Sequence, residues 1–277
     1  MSADLRSAAL EQGEVMAVER HGGGIIEVTA RLPKLAAAVQ PGQFAQLRCW
    51  RGPTPLLRRP MSVAWTDGEL CSFVFEVVGA GTRLLAALEP GDLLDSLGPL
   101  GRGFSLDAPP ARAVCVSGGL GCAPFPILCR ALRARGVADI IVLNGAATAT
   151  RLYPADRFQR GDQRIQVIEA TEDGSRGHRG RVTELVANAL AGRQSAVYAC
   201  GPNLMLGALA ALLETTNDVP VNEASLEAPM GCGFGTCLGC ALPVRGGWAL
   251  CCSDGPVMPM RDVEWLELAA LPAADVA

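Results

Sequence analysis

Histidine is nearly missing from this chain. Its 277 residues carry two, His21 and His178, both read as loop or surface residues, so no imidazole-based catalytic centre is expected. Positive charge is also short: 24 Lys and Arg against 28 Asp and Glu leave a formal net charge of −4. The basic residues are scattered, which excludes the clustered patch that nucleic acid needs. The apolar, uncharged stretch 113–129 falls short of the roughly 18 apolar residues of a membrane helix, and Gly118, Gly119, Gly121, Pro124 and Pro126 interrupt it. No secretory leader is read at the N-terminus, and the cysteine total of eleven is odd, so a disulfide framework is not expected and a reducing, cytoplasmic setting is. No internal repeat, low-complexity segment or G-x-G-x-x-G fingerprint occurs.

The cysteines near the C-terminus carry the strongest positive signal. Cys232, Cys237 and Cys240 follow the spacing C-x4-C-x2-C, and Cys251 and Cys252 come next as a pair. This is the plant-type spacing of [2Fe-2S] ligands. The loop around them holds Gly231, Gly233, Gly235 and Gly239, which let the backbone wrap tightly and bring amide N–H groups to the sulfurs, where hydrogen bonds tune the reduction potential. Four thiolates also suit tetrahedral zinc, and Cys237 with Cys240 form a C-x2-C pair. Zinc modules usually show two short pairs around a longer spacer, whereas here three cysteines crowd one loop. Cys252 is expected as the fourth ligand because it directly precedes a Ser-Asp-Gly-Pro turn able to aim its side chain inward, with Cys251 a spectator. Cys49, Cys71, Cys115 and Cys129 read as small core residues.

The texture of the chain changes twice. Up to residue 109, short runs rich in Val, Phe and Ile (24–32, 43–49, 61–65, 70–78) alternate with Pro-Gly and Asp-Gly turns, which predicts a small antiparallel barrel. From 110 to 221 strand and helix patterns alternate: strands at 113–117, 140–144, 165–170 and 196–200, helices at 125–135, 183–190 and 203–214. That order predicts a parallel sheet with crossover helices. The remainder, 222–277, is short and cysteine-rich, and is expected to be ordered by its metal. The fold class is therefore multidomain, a β-barrel followed by an α/β domain and a small cluster domain.

Two segments read as phosphate seats. In Arg58-Arg59-Pro60-Met61-Ser62 an Arg and a Ser at a strand start are expected to bring a guanidinium and a hydroxyl to one pyrophosphate, helped by the glycine turn Val78-Gly79-Ala80-Gly81-Thr82 at a helix start. The second is Ser117-Gly118-Gly119-Leu120-Gly121-Cys122, the first strand-to-helix turn of the parallel sheet, where nucleotide diphosphates sit. Cys200-Gly201-Pro202 ends another strand at the same edge, within reach of the far end of a dinucleotide. The strand end Asn144-Gly145-Ala146-Ala147 lacks an immediate basic residue for a 2′-phosphate, which predicts NAD over NADP, although Arg151 lies close by.

In this order the motifs resemble the ferredoxin-NADP reductase-like flavoproteins and, within them, the electron-transfer subunits of type 1B dihydroorotate dehydrogenase. Arg59-Pro60-Met61-Ser62 is similar to the family's FAD motif, Gly79 to Thr82 to its FAD phosphate turn, 97–101 to the barrel exit and 117–124 to the nicotinamide nucleotide loop. Cys200-Gly201-Pro202 is similar to the nicotinamide-side motif and the segment from Cys252 to Val257 to the one that supplies the fourth ligand. The chain departs from the wider family at Met61, where many members carry an aromatic against the flavin, and in a shortened spacer between Cys240 and Cys252. The resemblance implies FAD held by Arg59, Pro60, Met61, Ser62, the backbone of Val74, Phe75 and Glu76, Gly81 and Thr82. It implies NAD against Ser117, Gly118, Gly119, Gly121, Cys200, Gly201 and Pro202, and a [2Fe-2S] cluster on Cys232, Cys237, Cys240 and Cys252. It further implies a partner, the FMN-containing catalytic subunit that oxidises dihydroorotate in pyrimidine biosynthesis, in a heterotetramer with two copies of each subunit. The apolar residues Met230, Phe234 and Leu238 beside the ligands are expected to face that partner. A reductase serving another acceptor and a zinc-bearing structural subunit are the rival readings.

Overall fold

The computed structural model describes residues 7–107, 109–190, 192–216 and 219–271. The first segment is a closed barrel of β1 (Ala9–Arg20), β2 (Ile25–Arg31), β3 (Phe44–Arg48), β4 (Arg59–Asp67), β5 (Leu70–Glu76) and β6 (Leu93–Leu100), in the order β1-β2-β5-β4-β3-β6 and antiparallel throughout. Two short helices, α1 (Pro33–Ala38) and α2 (Ala80–Ala86), punctuate it. Inward positions alternate with outward ones. Ala45 and Leu47 of β3 join the barrel core, whereas Phe44 belongs to the core under the C-terminal segment.

The apolar runs in the sequence mark four of these strands and not β1 or β6. In β1 the usual pattern is inverted: Leu10 and Met16 face solvent while Glu11 and Gly13 face inward. Glu11 accepts the backbone N–H groups of Lys34 and Leu35 at 3.0 and 3.2 Å, and a β-carbon on Gly13 would overlap the Arg31 carbonyl.

The second segment carries β7 (Arg112–Gly118), α3 (Phe125–Ala134), β8 (Asp139–Ala146), α4 (Ala155–Gln159), β9 (Ile165–Thr171), β10 (His178–Arg179), α5 (Val186–Leu190), β11 (Ser195–Cys200), α6 (Asn203–Glu214) and β12 (Val221–Ser225). The helix expected over 183–190 is divided, a 3₁₀ turn at Val182–Leu185 leading into α5. The third segment adds a hairpin of β13 (Ala241–Val244) and β14 (Gly247–Leu250), then β15 (Val257–Pro259) and α7 (Trp265–Ala270). The main sheet runs β10-β9-β8-β7-β11-β12-β15, parallel except at β15. Its central strands are buried on both faces, which is why they read as unbroken apolar runs. The boundary expected at 221/222 falls inside β12, and β15 pairs with that strand, so the cysteine-rich segment shares the nucleotide sheet. Phe44 and Leu100 of the barrel meet Cys240, Cys251 and Cys252 in one apolar cluster.

Barrel and sheet are also joined by charge. Glu27 of β2 is 1% exposed and accepts the Tyr153 hydroxyl at 2.8 Å and Arg160 Nη2 at 2.6 Å. His21 adds its ring at 3.3 Å from the same carboxylate, tucked inward rather than at the surface. Two guanidiniums lie over the Trp65 ring of β4, Arg130 at 4.2 Å and Arg160 at 5.2 Å from its centroid. Among the described residues no helix is long and apolar enough to cross a membrane.

Candidate functional site

The glycine-rich loop gathers its thiols in two pairs. Cys240 Sγ stands 3.2 Å from Cys252 Sγ, and Cys237 sits beside Cys232, to whose sulfur it donates its backbone N–H. Backbone N–H groups converge on the sulfurs: Gly235 on Cys252 at 3.1 Å, Thr236 and Cys237 on Cys232 at 3.3 and 3.4 Å, and Cys252 on Cys240 at 3.4 Å. Burial alone would raise the Cys232 thiol, but the N–H groups of Phe234, Cys237 and Thr236 outweigh it and bring it down to about 6, toward the thiolate that metals take. Burial and the neighbouring Cys240 push Cys252 up to about 12. Two pairs of soft sulfur donors, one pair for each iron, fit a two-iron cluster. Among the described residues no three His, Cys, Asp or Glu side chains surround a point suited to a single metal ion. Cys251 turns the other way: it is fully buried and its thiol donates to the Leu226 carbonyl at 3.4 Å. Of the apolar residues beside the ligands, Phe234 and Leu238 are 40% and 63% exposed, whereas Met230 packs on the core beneath.

On the barrel, Arg59 lies across the start of α2, and a β-carbon on Gly81 would collide with its guanidinium. Arg59 also sits over the Trp50 ring at 6.0 Å, a residue that no motif in the sequence marks. A cleft of about 700 Å³ opens there, lined by Arg48, Trp50, Leu84, Leu88 and Asp95. Cys49, expected in the core, lines it too. Thr82 is buried, and its hydroxyl accepts the N–H groups of Val78 and Gly79 at 3.0 Å each, so it shapes the glycine turn and its side chain is not free for a ligand. Ser62 stands three positions from Arg59 on an extended strand, which puts the two side chains on opposite faces and not at one phosphate. Ser62 and Pro60 share a face with their cross-strand partners Phe44 and Gln46. Met61 packs against the barrel core. Val74 and Phe75 are buried in β5, and both carboxylate oxygens of Glu76 at its end accept from Arg151 Nη2 at 2.8 and 2.9 Å.

The nucleotide segments meet at the edge of the parallel sheet. β7 is flanked by β8 on one side and β11 on the other, so the chain reverses its direction of winding between β7 and β11, the switch point where open α/β sheets bind ligands. Gly118, Gly121 and Gly201 are needed for closeness: β-carbons there would meet Met205 Sδ at 2.5 Å, Gly201 N at 2.7 Å and Met205 Cε at 2.7 Å respectively. Gly119, at φ +55°, faces open space. Such a cradle of bare backbone suits a diphosphate. Ser117 is fully buried and donates to Asn144 Oδ1 at 3.5 Å, while Asn144 donates to the Tyr153 carbonyl at 2.9 Å, so both side chains brace the turn. Burial raises the thiols of Cys122 and Cys200, which leaves both inert, and Pro202 starts α6.

Comparison with known proteins agrees with this arrangement. Residues 227–264 match the iron-sulfur cluster binding domain of dihydroorotate dehydrogenase B, and residues 115–210 match the oxidoreductase NAD-binding domain. A solved structure of an NADH-dependent reduced ferredoxin-NADP oxidoreductase superposes with a TM-score of 0.81 at 27% identity, covering 93% of this chain and 91% of that one. A ferredoxin NADP+ reductase from Neisseria gonorrhoeae, with bound FAD and NADP, shares the fold at 19% identity and a TM-score of 0.62, covering 75% of this chain and 92% of its own. Among curated relatives, the dihydroorotate dehydrogenase B (NAD(+)) electron transfer subunit of Desulforamulus reducens is 37% identical over 84% of this chain and 90% of its own length, and that of Bacillus caldolyticus 41% identical over 81% and 86%. At that identity over most of its length, this chain belongs to the family of dihydroorotate dehydrogenase B electron transfer subunits.

Proposed function

We propose that this chain carries electrons between NAD and the catalytic subunit of a dihydroorotate dehydrogenase B, using FAD and a [2Fe-2S] cluster. The observation that carries the reading is the direct contact of the cysteine loop with barrel strand β3: a β-carbon on Gly233 would come within 2.6 Å of Gln46 Nε2. Strand β3 pairs with β4, which bears the Arg59 to Ser62 motif, so a cluster in the loop and a flavin on the barrel would be close neighbours.

FAD couples the two-electron chemistry of NAD to a one-electron carrier, and the protein's part is to position, shield and tune. In this reading Arg59 holds a flavin phosphate with a charge-assisted hydrogen bond, beside the turn that Gly81 and Thr82 shape. Ser62 and Pro60 line the flavin on the opposite face of β4 from Arg59, and the backbone of Val74 to Glu76 borders it. Ser117, Gly118, Gly119 and Gly121 with Cys200, Gly201 and Pro202 form the walls of the NAD crevice. Cys232, Cys237, Cys240 and Cys252 would hold the cluster. Exposed Phe234 and Leu238 contribute an apolar contact for an FMN-bearing catalytic subunit, in a cytoplasmic assembly of two copies of each chain.

Coexpression with the candidate catalytic subunit, followed by size exclusion and a dihydroorotate:NAD+ assay, tests this. A stable complex with coupled activity is expected. A chain that binds flavin and cluster and oxidises NADH, but neither assembles with that subunit nor couples to dihydroorotate, would instead be a reductase for another acceptor.

A further inference from the structure

Gln46 is 0% exposed, and neither its Nε2 nor its Oε1 has a hydrogen-bond partner. Burying a carboxamide with both ends unpaired is costly, and such groups in native proteins mark a missing partner. Turning the amide over leaves the same deficit. Its neighbourhood identifies the partner. Gln46 faces away from the barrel interior, which its neighbours Ala45 and Leu47 fill, and toward the C-terminal segment. There the carboxamide packs on Gly233, whose φ of +85° and missing side chain permit the approach; a β-carbon would lie 2.6 Å from Nε2 and 2.8 Å from Cγ. Gly233 directly follows Cys232, whose sulfur already accepts backbone N–H groups from Thr236 and Cys237.

We propose that Gln46 is a positioning and potential-setting residue for the iron-sulfur cluster: its side-chain N–H donates to a sulfur at the Cys232 end, a donor supplied by the flavin barrel to a cluster held in a different segment. The inference rests on the cluster assignment above. Hydrogen bonds to cluster sulfurs stabilise the more negative, reduced form, so this donor raises the cluster's reduction potential. Because Gln46 lies directly across from Pro60 in the flavin motif, it also ties the cluster loop to the strand that carries the flavin.

The test uses the full chain purified with flavin and cluster, titrated electrochemically and followed by EPR and visible absorption. In Gln46→Met, which keeps length and removes the donor, the cluster is expected to load fully, its midpoint potential to shift negative and its g-values to change, with the flavin couple unmoved. An unshifted cluster couple, or a shift confined to the flavin, would overturn the proposal. A measurement on the unmutated protein stands apart from any folding defect: pulsed EPR of the reduced protein labelled with ¹⁵N in glutamine side-chain amides should show a ¹⁵N coupling to the cluster, and its absence would equally overturn the proposal. Absence of any [2Fe-2S] spectrum in the unmutated protein would sink the cluster assignment itself, a distinct outcome.

Discussion

A β-carbon on Gly121 would overlap the carbonyl oxygen of Cys200, so the turn after β7 and the end of β11 touch backbone to backbone. Any side chain at 121 must push these two strand ends apart, and with them the floor of the nucleotide crevice. Gly121→Ala is expected to cost about 3 kcal/mol or more of stability and to abolish flavin reduction by NADH. Gly119→Ala, at φ +55° with open space around it, should cost only about 1–2 kcal/mol and leave the crevice walls in place. Chemical denaturation and stopped-flow reduction by NADH compare the two.

Cys251 and Cys252 are adjacent in sequence but point to different partners, Leu226 O and the cysteine loop respectively. Cys252→Ser is expected to abolish the visible and EPR signals of the cluster. Cys251→Ser should retain them, and the reverse pattern would exchange the two roles.

Arg59→Ala removes the guanidinium that lies over Gly81. Loss of a charge-assisted phosphate contact is worth about 1.5–3 kcal/mol, so flavin retention should weaken at least tenfold. Equilibrium dialysis followed by the flavin absorbance measures it, and full occupancy would remove Arg59 from the site.

Glu27 is a buried carboxylate shared by Tyr153 and Arg160. Glu27→Ala leaves Arg160, whose side chain is 20% exposed, without its partner, and should destabilise the chain by about 3–5 kcal/mol. Tyr153→Phe, which removes one neutral donor, should cost about 1–2 kcal/mol. Urea unfolding of the three proteins orders them.

The Arg151 guanidinium, the nearest candidate for a 2′-phosphate, is held through Nη2 by both carboxylate oxygens of Glu76. NADH is therefore expected to reduce the flavin faster than NADPH, and Glu76→Gln, which weakens that hold, should narrow the preference. A greater rate with NADPH in the unmutated protein would refute the assignment.

The cluster spacing, the glycine turns and the alternation of strand and helix patterns were legible in the chain because each is local: a loop of ten or so residues, or one element and its cap, carries its own signal. Strands β7, β8 and β11 are legible because strands buried on both faces carry nearly continuous apolar runs. Strand β1 is hidden because its inward positions include Glu11 and Gly13, each met by backbone some 20 residues away in sequence. The strand face that Ser62 takes and the turn that occupies the Thr82 hydroxyl are not legible for a related reason: spacing says which residues are near along the chain and not which face of a strand they occupy or which turn takes their hydroxyl.

The sequence by itself determined the metal chemistry and the order of the three segments, because thiolate spacing and hydrophobic period depend only on neighbours in the chain. Tertiary structure alone decided how the segments join. β15 returns to the nucleotide sheet, Glu27 takes partners from beyond residue 150, and Gln46 is brought beneath Gly233 with its carboxamide unpaired. The first contact spans more than thirty residues of chain and the other two more than a hundred, and no local pattern encodes a distance that only folding closes.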